Sequence, residues 1–143
     1  MKIYLYYIGR PKDAHANALA EDFLGRASRF APCEMREIDP TRPGRSGDIW
    51  TRHPTGRKIL LDPGGKPLDS AAFSRLIADA EMQGRDLIFV IGGHDGLPAE
   101  WRPRADLLLS LSAMTFPHEL ARAMLAEQIY RAFAILRNLP YVR

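Results

Sequence analysis

The segment Asp86-Leu-Ile-Phe-Val-Ile-Gly-Gly93 decides the fold, because an unbroken apolar run leads directly into two glycines. Residues 106–111 form a second apolar run, which leads into Ser112-Ala-Met-Thr-Phe-Pro-His118. A strand that faces water on one side alternates polar and apolar residues, whereas these runs do not alternate. Both are therefore predicted to be strands of a sheet whose two faces are covered.

Further elements are predicted around these two strands. Apolar residues spaced three and four apart predict amphipathic helices, and short apolar or alternating runs predict strands. The predicted strands cover 1–8, 33–38, 58–61, 86–91 and 106–111, and the predicted helices cover 12–30, 70–83 and 117–137. Their alternation predicts a single α/β domain, residues 1–143, with a mostly parallel sheet flanked by helices.

Turn and cap residues set the expected ends of these elements. Asp62-Pro-Gly-Gly65 is expected to stop the third strand in the chain, and Gly84 to end the second helix. Asp69 or Ser70 is the expected cap at the start of that helix, and Pro117 is expected where the last helix opens.

Three loops rich in glycine or small polar residues are expected at the carboxyl ends of strands, where ligands of such sheets bind. They cover residues 62–65, 92–96 and 112–115. The glycines at 92–96 have neither the dinucleotide-binding nor the Walker spacing. The backbone of 111–116 can read an adenine edge beside an apolar wall of Met114 and Phe116. Each segment alone is equally compatible with an ordinary turn or strand-to-helix junction.

Composition places the chain among ordinary soluble globular proteins. Of its 143 residues, 46% are hydrophobic and 26% are charged, and no apolar run is long enough to cross a bilayer. The single cysteine, Cys33, can form no intramolecular disulfide, so a cytoplasmic protein without a membrane span is expected.

The chain offers no evident metal site and no evident nucleophile. No pair of carboxylates stands out as an acid–base couple. The four histidines lack metal-ligand spacing: His15, His53, His94 and His118. An enzyme of this composition is expected to work by orienting a cofactor that is already reactive.

The positive charge is concentrated in arginine and in one segment. Sixteen of the twenty basic residues are arginine, and five basic residues face one acid between Arg42 and Lys58. With its prolines and glycines, this segment is predicted to be a mobile basic loop. Such a loop can bind an RNA backbone through phosphates, or can simply be solvated.

Several segments in the C-terminal half carry a family resemblance. They are Ile91-Gly-Gly-His-Asp-Gly-Leu97, Leu109-Ser-Leu-Ser-Ala-Met-Thr-Phe-Pro-His118, Arg122, Glu127-Gln-Ile-Tyr-Arg-Ala132 and Pro140-Tyr141. Together they closely resemble the RlmH family of ribosomal RNA large-subunit methyltransferases, within the SPOUT superfamily. The resemblance spans nearly the whole chain.

The resemblance implies a fold, a reaction and partners. It implies a C-terminal trefoil knot over about residues 86–143, a homodimer, and S-adenosylmethionine as cofactor. The implied reaction methylates N3 of a pseudouridine in helix 69 of 23S rRNA, on the assembled ribosome. No metal is implied.

The resemblance also implies site residues. Cofactor contacts are expected at Leu61, Gly93, Leu111, Ser112, Ala113, Met114, Thr115 and Phe116. Tyr141 and Arg143 are the candidates for holding the target base. Arg122, Arg131 and Arg137 can meet phosphates or a partner subunit, or can form a solvated helix face. A bulky residue at Gly93 is expected to abolish cofactor binding while the fold survives.

Two departures from the family leave an alternative open. The chain ends in Leu139-Pro-Tyr-Val-Arg143, with Leu139 and Val142 where the family usually has histidine. Residues 48–58 are short where relatives often have a helix. A knotted ribosome-binding or RNA-binding protein with altered or lost methyltransferase activity is therefore the alternative. A third reading, an unrelated small-nucleotide-binding domain, has no phosphate-binding motif to support it.

Overall fold

The computed structural model describes residues 1–42 and 48–141. The strands are β1 (Ile3–Ile8), β2 (Cys33–Ile38), β3 (Arg57–Pro67), β4 (Leu87–Ile91) and β5 (Leu107–Ser110). The α-helices are α1 (Ala14–Ala27), α2 (Ile49–Arg52), α3 (Ser70–Gln83) and α4 (His118–Leu136), and a 3₁₀ helix covers Ala99–Arg104.

The strands form one sheet in the order β2-β1-β4-β3-β5. Every pairing among the described strands is parallel, which confirms the predicted α/β class and parallel sheet. All residues of β4 are buried because it lies at the centre of the sheet. The unbroken apolar run at 87–91 therefore correctly predicted a strand covered on both faces.

Two different layers cover the sheet. One face packs against α1, α3 and α4 through a core that includes Leu5, Phe89 and Phe133. The other face packs against a smaller cluster that includes Trp50 of α2 and Trp101 of the 3₁₀ helix. These two indole rings meet edge to face at 6.2 Å, so the short helices hold each other on that face.

The third strand does not stop at Asp62, and that expectation was wrong. β3 pairs with β5 up to Leu61, shifts register, and pairs again at Lys66 and Pro67. The residues between form a bulge, and at Gly65 an added Cβ would lie 2.7 Å from the carbonyl carbon of Leu108. Glycine thus lets the two backbones approach and the strand continue.

The prediction of a mobile basic loop between Arg42 and Lys58 was also wrong for the part that the structure describes; residues 43–47 lie outside it. Asp48 caps α2 by accepting hydrogen bonds from the backbone of Trp50 and Thr51. Lys58 is buried in β3, and its ammonium donates to the carbonyl of His53. Lys58 is therefore not available to a phosphate.

Caps fix the helices that frame the sheet. Asp69 caps α3 by accepting from the backbone of Ala72, and Gly84 ends that helix with a φ of +61°. Pro117 precedes the first residue of α4, as predicted.

Glu119 accepts hydrogen bonds from the backbone N–H groups of Lys12 and Asp13, which lowers the pKa of its carboxyl to about 2. This contact fastens the start of α4 to the start of α1.

Candidate functional site

A cleft of about 850 Å³ opens at the carboxyl ends of β4 and β5, beside the bulge of β3. This is the edge of a parallel sheet at which ligands bind, and the volume suits a cofactor-sized molecule. Three segments supply most of its wall: 61–63, 91–97 and 111–118. All three predicted loops therefore contribute to one site.

The loop after β4 brings bare backbone to the cleft. The N–H of Gly96 donates to the carbonyl of Gly93 at 3.0 Å, and Gly96 has a φ of +75°, which favours glycine. An added Cβ on Gly92 would lie 2.7 Å from the carbonyl carbon of Gly96. Gly92 therefore has no room for a side chain, whereas Gly96 is required by its backbone conformation.

The loop after β5 offers backbone donors. The N–H groups of Ala113, Thr115 and Phe116 have no hydrogen-bond partner among the described residues, whereas that of Met114 bonds to the Ser112 hydroxyl at 3.0 Å. Such free amides, beside the apolar side chain of Phe116, can bind the polar edge of a planar ring.

One hydroxyl joins this loop to the bulge of β3. The buried Ser110 hydroxyl lies 3.1 Å from the carbonyl oxygens of both Pro63 and Ser112. The two walls of the cleft are therefore mechanically connected, and a shift of the bulge would move the 111–116 loop.

Comparison with known proteins assigns the chain to a protein family. A family model described as "Predicted SPOUT methyltransferase" matches residues 1–141. A protein named "Ribosomal RNA large subunit methyltransferase H", from Solibacter usitatus (strain Ellin6076), is 73% identical over 100% of both chains. The chain belongs to the RlmH family of SPOUT methyltransferases.

Other matches agree with this assignment. A protein of the same name from Sorangium cellulosum (strain So ce56) is 38% identical over 99% of both chains. A solved structure titled as a probable methylase family protein from Haemophilus influenzae Rd KW20 covers 99% of this chain and 70% of its own length. Its TM-score of 0.65 at 9% identity shows a shared fold. The resemblance predicted from the sequence is confirmed, and the chain is a methyltransferase; membership carries the expectation of the C-terminal knot.

In this RlmH-family enzyme most of the expected cofactor residues line the one cleft. They are Leu61, Gly93, Leu111, Ser112, Met114, Thr115 and Phe116. Ala113 lies in the same loop and is exposed, but its side chain does not contribute to the wall.

Of the two residues expected to hold the base, the structure describes only Tyr141. The Tyr141 hydroxyl donates to Glu127 at 3.1 Å, and its ring packs edge to face on Tyr130. Tyr141 therefore lies against α4, outside the cleft wall. Arg143 lies outside the described residues. A catalytic role for either remains a prediction.

The arginines of α4 do not form a free basic face. Arg122 is completely buried, with its guanidinium carbon 3.5 Å from the centre of the Tyr7 ring, so it cannot meet a phosphate on the surface. Arg131 pairs with Glu127 at 2.7 Å and Arg137 with Glu81 at 2.6 Å. The expectation of RNA contact is wrong for Arg122, and the other two are already paired with carboxylates.

The structure also changes what a Gly93 substitution would do. An added Cβ there would lie 2.7 Å from the backbone oxygen of Ile8, at the end of β1. A side chain would push on a central strand rather than simply fill the cleft. We therefore expect loss of stability together with loss of binding, unlike the clean loss of binding predicted from the sequence.

Sequence reasoning missed a pair of charged side chains in the cleft wall. Asp62 and Arg102 form a 2.9 Å ion pair there. The position of Asp62 in a loop of interest was a usable signal, whereas nothing in the sequence distinguishes Arg102 from its neighbour Arg104.

No group of three or more His, Cys, Asp or Glu side chains within 1–42 and 48–141 is arranged to hold a metal ion. In the same residues, no helix has the length and apolar character needed to cross a membrane.

Proposed function

We propose that this enzyme transfers a methyl group from S-adenosylmethionine to N3 of a pseudouridine in helix 69 of 23S rRNA, on the assembled cytoplasmic ribosome. The single cleft shared by the glycine loop of 92–96 and the open backbone of 111–116 carries the proposal. Its full-length relatives named for the large-subunit ribosomal RNA support the choice of substrate.

The cleft residues fit an adenosine-containing cofactor. Gly92, Gly93 and Gly96 form part of one wall, so a ligand can approach main-chain groups there. The unpaired amides of Thr115 and Phe116 suit the polar edge of adenine, and Leu61 with Phe116 supplies apolar surface for its ring faces.

The chain's contribution to the reaction is orientation. Bound S-adenosylmethionine would supply a methyl group that is already electrophilic. The backbone of 92–96 and 111–116 would hold that group toward the open side of the cleft, where the target base can approach it. Methyl transfer of this kind needs neither a side-chain nucleophile nor a metal ion.

Methyl transfer to ribosomes tests the proposal. Ribosomes from a strain that lacks this enzyme would be incubated with the protein and S-adenosylmethionine carrying a labelled methyl group. Label on one nucleotide of helix 69 is expected. Ribosomes from the parent strain are the control, because their target nucleotide is already methylated and should take up no label. If the cofactor binds but no label appears in the large-subunit RNA, the alternative of a binding protein with lost activity replaces the proposal.

A homodimer is part of the proposal. Leu19 of α1 and Leu120 of α4 are 46% and 43% exposed and line a second cavity, of about 490 Å³, next to the two helices. Exposed aliphatic side chains beside an apolar cavity are typical of a surface that a partner covers. A second copy of the chain is the proposed partner.

Charge at this surface is expected to dissociate the dimer. Leu120→Glu would bury a carboxylate in the interface, and light scattering after size-exclusion chromatography should show a monomer. Met82→Glu, on the outer side of α3 where Met82 is 86% exposed, should remain a dimer. Equal masses for the two variants would contradict a dimer formed through α1 and α4.

A further inference from the structure

The ion pair in the cleft wall joins two elements that are far apart in the chain. Asp62 lies in the bulge of β3, and Arg102 lies in the 3₁₀ helix between β4 and β5. One guanidinium nitrogen is 2.9 Å from an Asp62 carboxylate oxygen, and both residues line the cleft. Neither residue is among the cofactor contacts expected from the family resemblance.

A second contact orients the carboxylate, and a buried neighbour anchors the backbone next to the arginine. The second carboxylate oxygen of Asp62 accepts the backbone N–H of Gly64 at 2.7 Å, so the bulge itself orients the side chain. Arg102 follows Trp101, whose buried ring anchors the 3₁₀ helix on the sheet. The carboxylate is 15% exposed and the guanidinium 51% exposed, so both charges reach solvent in the cleft. A preorganised pair of this kind loses little freedom when a ligand binds.

The sign of the charges selects the ligand. A phosphodiester would meet the guanidinium but would be repelled by the carboxylate beside it. A zwitterionic α-amino acid group instead presents one negative and one positive charge, close enough together for each to face one member of the ion pair. Its carboxylate can accept two parallel bonds from a guanidinium, and its ammonium can donate to Asp62. The methionyl end of S-adenosylmethionine is such a group.

We propose that Arg102 and Asp62 are specificity-determining residues that bind the α-carboxylate and the α-ammonium of the cofactor's methionyl end. This inference rests on the proposed function, because it assumes that the cleft binds S-adenosylmethionine. The pair would then fix the end of the cofactor opposite to the adenine contacts of 111–116. The methyl-bearing sulfur, which lies between these two ends, would be positioned by both.

Calorimetric binding of three nucleosides tests the proposal without any turnover. S-adenosylhomocysteine has both the α-carboxylate and the α-ammonium, and 5′-methylthioadenosine has neither. Decarboxylated S-adenosylmethionine has the ammonium, besides its sulfonium, but no carboxylate. Arg102→Met should weaken the binding of S-adenosylhomocysteine about 10- to 100-fold, because one pair of charge-assisted hydrogen bonds is lost. The affinity for methylthioadenosine should not change. Arg102→Met should not weaken the binding of the decarboxylated ligand, which has no carboxylate for Arg102. Asp62→Asn should weaken the binding of that ligand about 10-fold.

Arg104→Met is the matched control. Arg104 lies in the same 3₁₀ helix, but its guanidinium stacks on Trp50 at 4.3 Å and does not line the cleft. Thermal denaturation of all variants would confirm that each is folded. Equal effects of Arg102→Met on S-adenosylhomocysteine and methylthioadenosine, or no effect on either, would overturn the assignment.

Two further outcomes separate this inference from the function on which it rests. If the wild-type protein binds none of the three nucleosides, the proposed function fails and this inference fails with it. If Arg102→Met keeps every nucleoside affinity but binds ribosomes more weakly, Arg102 contacts RNA phosphate. In that case the cofactor assignment is overturned while the proposed function stands.

Discussion

Replacing Arg122 with alanine should lower the free energy of unfolding by about 3 kcal/mol. The side chain is fully buried, its guanidinium lies 3.5 Å from the centre of the Tyr7 ring, and it donates to the side-chain oxygen of Asn17. Truncation would leave a cavity, remove a desolvated cation–π contact and deprive Asn17 of its donor. Urea denaturation followed by circular dichroism measures the loss.

Two variants separate charge from packing. Arg122→Met keeps most of the side-chain volume and removes a buried charge whose Nε has no hydrogen-bond partner among the described residues. We expect it to lose clearly less stability than the alanine variant, because both variants remove the charge and its desolvation cost but only alanine leaves a cavity. Arg131 lies on the same helix and forms a partly exposed ion pair with Glu127. Arg131→Ala should lower the free energy of unfolding by at most about 1 kcal/mol. Equal midpoints for Arg122→Ala and Arg131→Ala would contradict a stabilising role for Arg122.

Replacing Gly65 with alanine should lower the free energy of unfolding by about 2 kcal/mol and weaken cofactor binding at the same time. The added methyl group would lie 2.7 Å from both the carbonyl carbon and the oxygen of Leu108 in β5. Backbone conformation is not the cause, since Gly65 is not among the glycines with positive φ. The two strands would have to separate, and Ser110 would carry that shift into the 111–116 loop.

Gly25→Ala is a control with the opposite expected sign. Gly25 lies inside α1, and an added Cβ there would meet no atom within 4 Å. Alanine in a helix interior is more stable than glycine by roughly 0.5–1 kcal/mol, so this variant should gain stability and keep its cofactor affinity. If both glycine variants shift the denaturation midpoint in the same direction, the close approach of β3 and β5 is not what requires Gly65.

Periodicity and turn residues were sufficient for most of the architecture. The apolar run at 87–91 predicted a central strand, because only a strand with two covered faces dispenses with polar residues. Gly84 and Pro117 predicted helix ends through backbone preferences that act locally. Parallel topology then placed the loops at 62–65, 92–96 and 112–115 at one edge of the sheet, which located the cleft.

The errors concern features set by partners distant in sequence. β3 was expected to end at Asp62, since proline and glycine usually end a strand, but pairing with Leu109 and Ser110 of β5 extends it through a bulge. Lys58 was counted with a solvated loop, yet it is buried in the sheet.

The sequence by itself determined the order of the five strands and the three long helices, the parallel α/β class and the family to which the enzyme belongs, because these depend on local patterns and on motifs read in order. Only the tertiary structure decided that Arg122 is an interior residue and that Arg102 faces Asp62. The partner of Arg122, Asn17, is 105 positions away, and an arginine has the same appearance in a sequence whether it is buried, paired or free. The physical reason is that burial and ion pairing depend on which elements pack together, and packing is decided only once the chain has folded.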